Sequence, residues 1–565
     1  MPYRAPVEDY KFIFAHVSDM EAVAATERFS EATQDVTDAI LTEAGRLTEE
    51  VIAPLRRVGD ETHSVLENGV VRTPPGYKEA FTALTEGGWV AISAGPDYGG
   101  MGLPIALTTA FNEMMSATDL SLGLCPLLTQ GQIEALEHHA SDEIKQMYLP
   151  RLISGEWTGT MNLTEPQAGS DVGALKTRAV PNGDGSYAIT GQKIYITWGD
   201  HDFGGNVCHL VLARLPDAAP GTKGISLFMV PKYIPNDDGS LGPANDLSVV
   251  SLEHKLGIHA SPTAVMQYDG ATGWLVGAEH KGMAAMFTMM NNARLAVGAQ
   301  GVGIAEGATQ QALDYAAERN QMGPIIEHAD VRRMLLTMKA DTYAARAIVL
   351  NCAIALDLAR ATGQDDWKAR AALLTPIAKA FGSETGIAVA EMGVQVHGGM
   401  GFVEETGAAQ FSRDARVTAI YEGTNGIQAM DLVGRKMADG GEAAARLLDE
   451  IEAHAETARA SLPELAEPVW QASETLRETV EWLADEGNMP NRFAGSVPFL
   501  HGFARVLGAH YHLRAAMAED AADGPRTKLA RFYINRLLPE HAGLLAHAVA
   551  GADDLYAFTA EELTA

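Results

Sequence analysis

The chain has 565 residues, of which 47% are hydrophobic and 20% are charged, so it can build several hydrophobic cores and is too apolar for general disorder. Its 73 acidic residues outnumber its 42 basic residues and give a net charge of −31, which disfavours nucleic acid and anionic membrane surfaces as partners. Three cysteines without CxxC spacing, Cys125, Cys208 and Cys352, indicate a reducing compartment and argue against a zinc or disulfide framework.

The beginning of the chain lacks a basic segment followed by a long apolar run, so we expect no secretory signal and a cytoplasmic location. The most apolar segment, residues 282–290, stops at Asn291 and is shorter than the roughly 18 apolar residues that a membrane span requires. We therefore expect no membrane span.

The first part of the chain has a helical pattern. After an N-terminal extension at residues 1–35, we predict a helical domain at 36–158, where Ile40, Ala44 and Leu47 recur at helical spacing. A glycine-rich segment at residues 95–102 interrupts this pattern and predicts a loop, because glycine tolerates positive φ angles.

The residue pattern changes from helical periodicity to short strand-like runs at residues 159–280, which we predict to be a β domain. Short β-branched and aromatic runs alternate there with turn residues, as is typical of a barrel or a sandwich. The segment Asn182-Gly183-Asp184-Gly185 between two such runs predicts a hairpin turn.

Helical periodicity returns at residues 281–438, which we predict to be a helical bundle. Gly301 and Gly303 lie inside this helical pattern, so we interpret them as sites of close helix packing rather than as a dinucleotide-binding turn. Residues 439–565 begin with a plausible linker, Asp439-Gly440-Gly441, and the residues after it are again rich in Ala, Leu and Glu and predict an additional helical domain.

Two motifs in the β region carry candidate binding residues. Residues 161–173 form a hydroxyl-rich segment whose small residues would let a flat ligand approach backbone N–H groups, although a polar connection between domains is the alternative. Tyr195, Thr197 and Gly199 are predicted to share one face of a strand, since side chains alternate with period two. An ordinary half-buried strand is the competing interpretation.

Two motifs in the bundle carry further candidates. The glycines of residues 395–402 could hold a phosphate at a helix break, or could simply end a helix. Glu422 stands between Tyr421 and Gly423-Thr424, where a desolvated carboxylate would have a raised pKa suited to a general base; a solvated Glu is the alternative. We find no HExxH helix, no Walker phosphate loop and no GxSxG elbow, and we predict no metal site.

Taken in order, these segments resemble the acyl-CoA dehydrogenase family over about residues 87–436. The motifs that carry the resemblance are Thr164-Glu165-Pro166, Gly169-Ser170-Asp171, Ile189-Thr190-Gly191-Gln192-Lys193, Ala293-Arg294, Gln300-Gly301, Gln395 through Gly401, and Tyr421-Glu422-Gly423-Thr424. The resemblance implies an α+β fold with an N-terminal helical domain, a middle β-barrel and a C-terminal four-helix bundle. It also implies FAD bound at a homodimer interface, an acyl-CoA substrate and an electron-transferring flavoprotein as acceptor.

The resemblance also assigns roles to single residues. Glu422 matches the catalytic base. Substrate contacts are expected from Ser170, Arg294, Tyr421 and Gly423. Cofactor contacts are expected from Leu163, Thr164, Gly169, Ser170, Tyr195, Thr197, Arg319, Gln321, Gln395, Gly398, Gly399 and Thr424.

Three positions depart from the commonest family pattern: Trp198 stands where Asn is frequent, Met322 replaces a frequent Phe, and Gly426 occupies a place where some members contact the flavin. The extra sequence at both ends resembles a larger bacterial subgroup, so we expect α,β-dehydrogenation of 3-methylmercaptopropionyl-CoA to the trans-2-enoyl thioester. A short- or medium-chain fatty acyl-CoA is the alternative substrate.

Other functions are compatible with the same residues. An acyl-CoA oxidase would pass its electrons to oxygen instead of a protein acceptor. A nucleic-acid-associated flavoprotein relative would need a basic surface, which the net charge of −31 disfavours.

Overall fold

The computed structural model describes residues 3–519 and 523–565. Met1 and Pro2 of the predicted N-terminal extension, and three residues of the predicted additional domain, lie outside the described residues. The chain divides into two units. Unit 1 contains the residues up to Arg46, Pro104–Ala117 and Arg294–Ala565, and unit 2 contains Leu47–Leu103 and Thr118–Ala293.

Helices dominate unit 1 and strands are concentrated in unit 2. Over the described residues the helices α1 to α19, in chain order, are Val7–Phe12, Met20–Ala24, Gln34–Leu47, Leu55–Glu61, Tyr77–Glu86, Ile105–His139, Asp142–Ile153, Gly282–Glu318, Ala329–Thr362, Asp365–His397, Ala408–Ala415, Asn425–Asp431, Glu442–Ala458, Pro463–Asp485, Met489–Ala494, Ser496–Met517, Pro525–Arg536, Glu540–Ala548 and Ala560–Thr564. The strands β1 to β11 are Val65–Glu67, Val70–Arg72, Thr158–Asn162, Arg178–Pro181, Tyr187–Thr197, Val207–Arg214, Ile225–Pro231, Tyr233–Pro235, Leu241–Ala244, Leu247–Leu252 and Thr263–Val276.

The strands of the middle region close into a barrel. Pairing runs from β11 to β5, β4, β6 and β7 and returns to β11, while β10 extends the sheet beside β11 and β3 pairs with β6. Its core is apolar and contains the fully buried side chains of Ile189, Val211, Phe228 and Met266. Of the two architectures open from the sequence, the barrel is therefore confirmed.

The turn between β4 and β5 confirms the predicted hairpin. The two strands are antiparallel, and Gly183 and Gly185 have φ angles of +89° and +93°. Asp184 closes the turn by accepting hydrogen bonds from the Ser186 backbone and hydroxyl at 2.9 and 2.7 Å. Turn chemistry that could be read from the sequence therefore fixes the register of β5, the strand that carries Tyr195 and Thr197.

Two long helices of unit 1, α8 and α10, cross with their backbones in contact. A Cβ built on Gly301 would lie 2.1 Å from the carbonyl oxygen of Gly382, and one on Gly298 would lie 2.7 Å from that of Ala378. The reverse holds for Gly386, whose Cβ would lie 2.6 Å from the Gly301 oxygen. The interpretation of Gly301 as a helix-packing residue is confirmed.

Helix α9 is long and apolar enough to cross a membrane by length and composition. Its most apolar window is, however, 83% buried inside the structure, as in the core helix of a soluble protein.

The predicted additional domain is helical in its described residues, from α13 to α19. Its central helix α16 packs against α9 and α10 of the bundle as well as against α14, α17 and α18. Arg505 on α16 pairs with Asp341 on α9, and His512 contacts the carbonyl oxygen of Ala340 at 3.0 Å. The exact domain boundaries remain a prediction.

The glycine crossing can be tested with Gly301→Ala. The new methyl group would overlap the Gly382 carbonyl, so we expect a loss of about 1–3 kcal/mol of stability and a lower melting temperature in a thermal unfolding assay. Gly543→Ala on α18 is the matched control, since no described residue beyond its chain neighbours lies within 4 Å of its Cβ position, and it should raise stability by about 0.5–1 kcal/mol. A melting temperature for Gly301→Ala at or above wild type would contradict the assigned contact.

Candidate active site

Glu422 lies in a tight turn directly before α12 in unit 1. Its φ of +58° falls in the left-handed region, which is costly for a residue with a side chain, and the following Gly423 has φ +83°. The turn is held from two sides. Thr424 caps α12 by accepting a hydrogen bond from the Ile427 N–H at 3.3 Å, and the buried Gln428 amide donates to the Glu422 and Gly423 carbonyls at 3.3 and 3.4 Å.

The carboxyl group of Glu422 is electrostatically poised. Among the described residues, its buried Oε2 atom has no hydrogen-bond partner. Burial raises the pKa of Glu422 to about 7, although the positive charges of Arg294 and Lys379 act in the opposite direction. The group is therefore about half ionised near neutral pH, which suits a general base.

Arg294 on α8 is one of these two cations. Its side chain is 7% exposed, and its Nη1 atom lies 3.9 Å from Asp431 Oδ2 on α12. Burial lowers the pKa of Arg294, while Asp431 and Glu422 raise it. The structure thus places Arg294, predicted as a substrate contact, close enough to Glu422 for its charge to lower the pKa of that carboxyl.

Lys379 on α10 is the second cation, and sequence analysis missed it. Its buried ammonium donates to Asn425 Oδ1 at 2.7 Å, and burial lowers its pKa to about 8 against the favourable charges of Glu422 and Glu384. The sequence did contain an indication of a buried cation, because Lys379 is the only charged residue in residues 371–383, which are otherwise apolar or small.

Tyr421 and Gln300 form a second contact that sequence analysis did not predict. The Tyr421 hydroxyl donates to Gln300 Oε1 on α8. Among the described residues, Gln300 Nε2 is buried without a hydrogen-bond partner. Both residues lay within motifs of the resemblance, but only Tyr421 had been assigned a role.

In unit 2, a buried ion pair fixes the end of β3. Lys193 on β5 is fully buried, and its ammonium lies 2.8 Å from Glu165 Oε1 and donates to the Leu163 carbonyl at 2.9 Å. Thr164 is held in turn by its carbonyl, which accepts the Ile194 N–H at 3.0 Å. The predicted flavin contacts Leu163 and Thr164 are thus anchored to the strand that carries Tyr195.

The Glu165 carboxylate accepts several hydrogen bonds in addition to the ion pair. Its donors are the Thr177 hydroxyl and N–H at 2.6 and 3.0 Å, the Lys176 N–H at 2.6 Å and the Gln167 amide at 2.7 Å. Burial alone would raise the pKa of Glu165, but Lys193 and these donors lower it to about 2. Because the folded-state pKa is depressed, this contribution to stability is present above about pH 4 and is lost as the pH falls towards 2.

A bulge in β5 presents Tyr195 to solvent. Ile194 and Tyr195 stand opposite the single residue Val265, and Tyr195 has φ +60° and is 61% exposed. The strand ends at Thr197, after which Trp198, with φ +52°, is buried. The prediction that Gly199 continues the same strand face is wrong, because the chain has already turned at Trp198.

The remaining predicted cofactor contacts are exposed and lie in two groups. In unit 2, Gly169 and Ser170 lie in an exposed turn between β3 and β4. In unit 1, the end of α8 and the end of α10 meet where Tyr315 stacks on His397 at a centroid distance of 4.4 Å. The exposed residues near this stack are Arg319, Gln321, Gln395, Gly398 and Gly399.

Both groups fit the flavin cofactor that the resemblance implies. In the part of the chain that the structure describes, and apart from the adjacent residues, no atom lies within 4 Å of a Cβ built on Gly169, Gly398 or Gly399, so a phosphate or ribose can approach the backbone there. On the barrel, Tyr195 and the partly exposed Thr197 offer an aromatic ring and a hydroxyl beside each other. The donor set is therefore suited to a flat ring with polar edges.

One further group of side chains has metal-ligand chemistry. Potential ligand atoms of Glu450, His454 and His510 lie within 4.8 Å of one another. Arg370 already donates to Glu450 at 2.6 Å, and the pKa of His510 is lowered well below its ordinary value by burial and then by the charges of His454, Arg514 and Arg370. Because this environment is already positive, we assign no cation to it, and the expected absence of a metal site stays a prediction.

Comparison with known proteins covers most of the chain. Family models described as the N-terminal, middle and C-terminal domains of acyl-CoA dehydrogenase match residues 34–156, 160–271 and 280–437. A model described as acetyl-CoA dehydrogenase C-terminal like matches residues 447–559.

Individual relatives extend over nearly full length. A 3-methylmercaptopropionyl-CoA dehydrogenase of Ruegeria pomeroyi is 49% identical over 520 residues, covering 88% of each chain. A butyryl-CoA dehydrogenase of Syntrophomonas wolfei is 33% identical and covers 96% of each. An acyl-CoA dehydrogenase structure from Bacillus anthracis, complexed with FAD, superposes with a TM-score of 0.75 at 22% identity, covering 93% of this chain and 91% of that one.

The buried ion pair of unit 2 can be tested with Glu165→Gln. The variant leaves the Lys193 ammonium buried without its counter-charge, so we expect a loss of about 3–5 kcal/mol and a lower melting temperature at pH 7. Glu67→Gln, an exposed residue on β1, is the matched control and should melt like wild type. Equal melting of the two variants would show that the pair does not stabilise the barrel.

Proposed function

Because the chain belongs to the acyl-CoA dehydrogenase family, it is an FAD-dependent acyl-CoA dehydrogenase, and we propose that its substrate is 3-methylmercaptopropionyl-CoA. Support for this substrate comes from the 49% identity to the Ruegeria pomeroyi enzyme, against 33% to the butyryl-CoA dehydrogenase of Syntrophomonas wolfei. The product would be methylthioacryloyl-CoA.

Glu422 is proposed as the base, and the observation that carries this assignment is its buried Oε2 atom. The atom has no hydrogen-bond partner among the described residues, and the pKa of the group is raised to about 7 by burial. Oε2 would take the α-proton of the thioester. The backbone N–H of Glu422 donates no hydrogen bond within the described residues, and it is proposed to bind the thioester oxygen as negative charge develops there.

The remaining residues would orient the reactants and exclude water. The chemistry that bound FAD would supply is a hydride acceptor for the β-hydrogen of the thioester. We propose that Leu163, Thr164, Tyr195 and Thr197 contact the flavin ring and that Gly169, Ser170 and Thr424 contribute further cofactor contacts. Ser170, Arg294, Tyr421 and Gly423 are proposed to contact the acyl-CoA.

A homodimer is part of the same proposal. Arg319, Gln321, Gln395, Gly398 and Gly399 are exposed, and a second copy of the chain would bring them to its FAD. Near them, Phe402 is 88% exposed and Met400 46% exposed, a pair of apolar side chains that a partner would cover. We also propose an electron-transferring flavoprotein as acceptor and a cytoplasmic location.

The substrate proposal predicts the outcome of anaerobic mixing. With 3-methylmercaptopropionyl-CoA the oxidised flavin band should bleach faster than with butyryl-CoA or octanoyl-CoA. Glu422→Gln is the control, because the amide keeps the shape but cannot accept the proton, so it should retain FAD and bleach slower by orders of magnitude.

Other outcomes point elsewhere. Faster bleaching by a straight-chain thioester would replace the proposed substrate with a fatty acyl-CoA. Rapid oxygen consumption with peroxide formation during turnover would indicate an oxidase. Wild-type turnover in Glu422→Gln would remove Glu422 from its role.

The charge of Lys379 predicts a pH dependence. Since Glu422 must be ionised to accept a proton, kcat/KM should fall as the pH drops below about 7. Lys379→Met removes a positive charge that lowers the pKa of Glu422, so this acid limb should move to higher pH. Lys339→Met removes an exposed lysine and should leave the profile in place. An unshifted limb in Lys379→Met would show that the two groups are not coupled.

A further inference from the structure

A continuous run of side-chain contacts connects the additional helical domain with the turn that carries Glu422. His501 on α16 lies 2.8 Å, through Nε2, from Glu384 Oε2 on α10. The other carboxylate oxygen, Oε1, accepts a hydrogen bond from Asn425 Nδ2 at 2.8 Å. Asn425 accepts in turn from Lys379 at 2.7 Å. All these residues belong to unit 1.

The middle of this run is buried and leaves Asn425 little freedom. Asn425 is 9% exposed, and its neighbours Lys379 and Ser383 are fully buried. Its amide nitrogen also lies 3.0 Å from the Ser383 hydroxyl. A buried amide with its oxygen and nitrogen both bonded has one favourable orientation, because flipping it would oppose donor to donor.

Asn425 is well placed to transmit this restraint to the base. It is the first residue of α12 and follows Glu422 by three positions, so its orientation fixes the start of the helix against which the Glu422 turn is built. That turn holds Glu422 at a left-handed φ of +58°, a conformation that persists only when its surroundings over-determine it.

Glu384 is the link that requires the additional domain. Its side chain is 37% exposed and would be free to rotate towards water without a partner on the outer side. His501 is that partner, and its hydrogen bond and charge lower the pKa of Glu384 although burial acts in the opposite direction. Arg505, one turn further along α16, pairs with Asp341 of α9 and keeps the helix in register with the bundle.

We propose that His501 of the additional domain is a positioning residue for the base Glu422, acting through Glu384 and Asn425. The additional domain thereby takes part in the reaction without touching the substrate. This inference rests on the proposed function only for its kinetic test.

The kinetic test compares His501→Leu with His501→Gln in the FAD-loaded enzyme. Leucine removes the contact to Glu384, so kcat should fall about tenfold while KM and FAD content stay near wild type, since modest misplacement of a reacting group costs up to about 10²-fold. Glutamine retains an N–H donor and should restore most of kcat. His541→Leu removes a half-buried histidine of the same domain whose ring, among the described residues, is hydrogen-bonded to the nearby Leu538 carbonyl at 2.6 Å, and it should leave kcat unchanged.

A double-mutant cycle distinguishes coupling through this run of side-chain contacts from a general loss of structure. If His501 acts through Glu384 and Asn425, and Lys379 holds the same Asn425 side chain, the losses in kcat caused by His501→Leu and Lys379→Met should be non-additive. Unchanged kcat in His501→Leu would overturn the proposal. Equal losses of kcat in the leucine and glutamine variants would overturn it as well. So would a loss of kcat that is accompanied by a lower FAD content or a lower melting temperature.

Hydrogen exchange gives a readout that does not need activity. In His501→Leu, backbone amides of residues 421–431 should exchange faster than in wild type, and His501→Gln should restore their protection. If none of the tested acyl-CoA thioesters bleached the flavin band of the wild-type enzyme, the proposed function would fail. This exchange experiment would still decide whether His501 restrains the turn that carries Glu422. Unchanged exchange in His501→Leu would reject the inference independently of the reaction.

Discussion

The burial of one carboxyl group sets the requirements for much of unit 1. Burial raises the pKa of Glu422, the proposed base, to about 7, and its ionised form must remain accessible in the same place for that role. Two cations on different helices, Arg294 on α8 and Lys379 on α10, stabilise the ionised form of Glu422 by lowering its pKa. Neither approaches as a close ion partner within hydrogen-bonding distance of Oε2, which would lower the pKa too far for a base. Two positive charges that lower the pKa of Glu422 are thus combined with a buried oxygen that has no hydrogen-bond partner among the described residues.

Geometry reinforces this electrostatic arrangement. The backbones of α8 and α10 touch at glycines, so the two cations are carried on helices with a fixed spacing. The turn that bears Glu422 is closed by Gln428 and capped by Thr424. Backbone strain at Glu422 is therefore compensated by hydrogen bonds made by its neighbours.

Sequence patterns predicted the parts of this molecule that depend on local rules. The hairpin at Asn182-Gly183-Asp184-Gly185 follows from turn chemistry, and Gly301 was identified as a packing residue from its helical context. The order of helical, β and helical regions was also predicted correctly. Strand alternation held for Tyr195 and Thr197 but failed at Gly199, because β5 ends at Thr197 and the buried Trp198 turns the chain at a left-handed φ of +52°. Lys379 was missed because a lysine in an apolar helix acquires a role only from the elements that surround it. The cofactor and substrate contacts came from the family resemblance, because exposed residues such as Arg319 and Gln395 have no local pattern that distinguishes them from ordinary surface.

The glycine contacts between α8 and α10 also bear on how the specificity of such an enzyme can change. Helices whose backbones already touch cannot move closer, and moving apart would leave a void in a close-packed interior. The distance between the elements that carry Arg294 and Lys379 is consequently insensitive to substitutions elsewhere. A different acyl group must then be accommodated by exchanging side chains around a constant reaction centre. Substrate preference can therefore change during evolution through the side chains that surround the acyl group, while the spacing of the helices that carry Arg294 and Lys379 is retained.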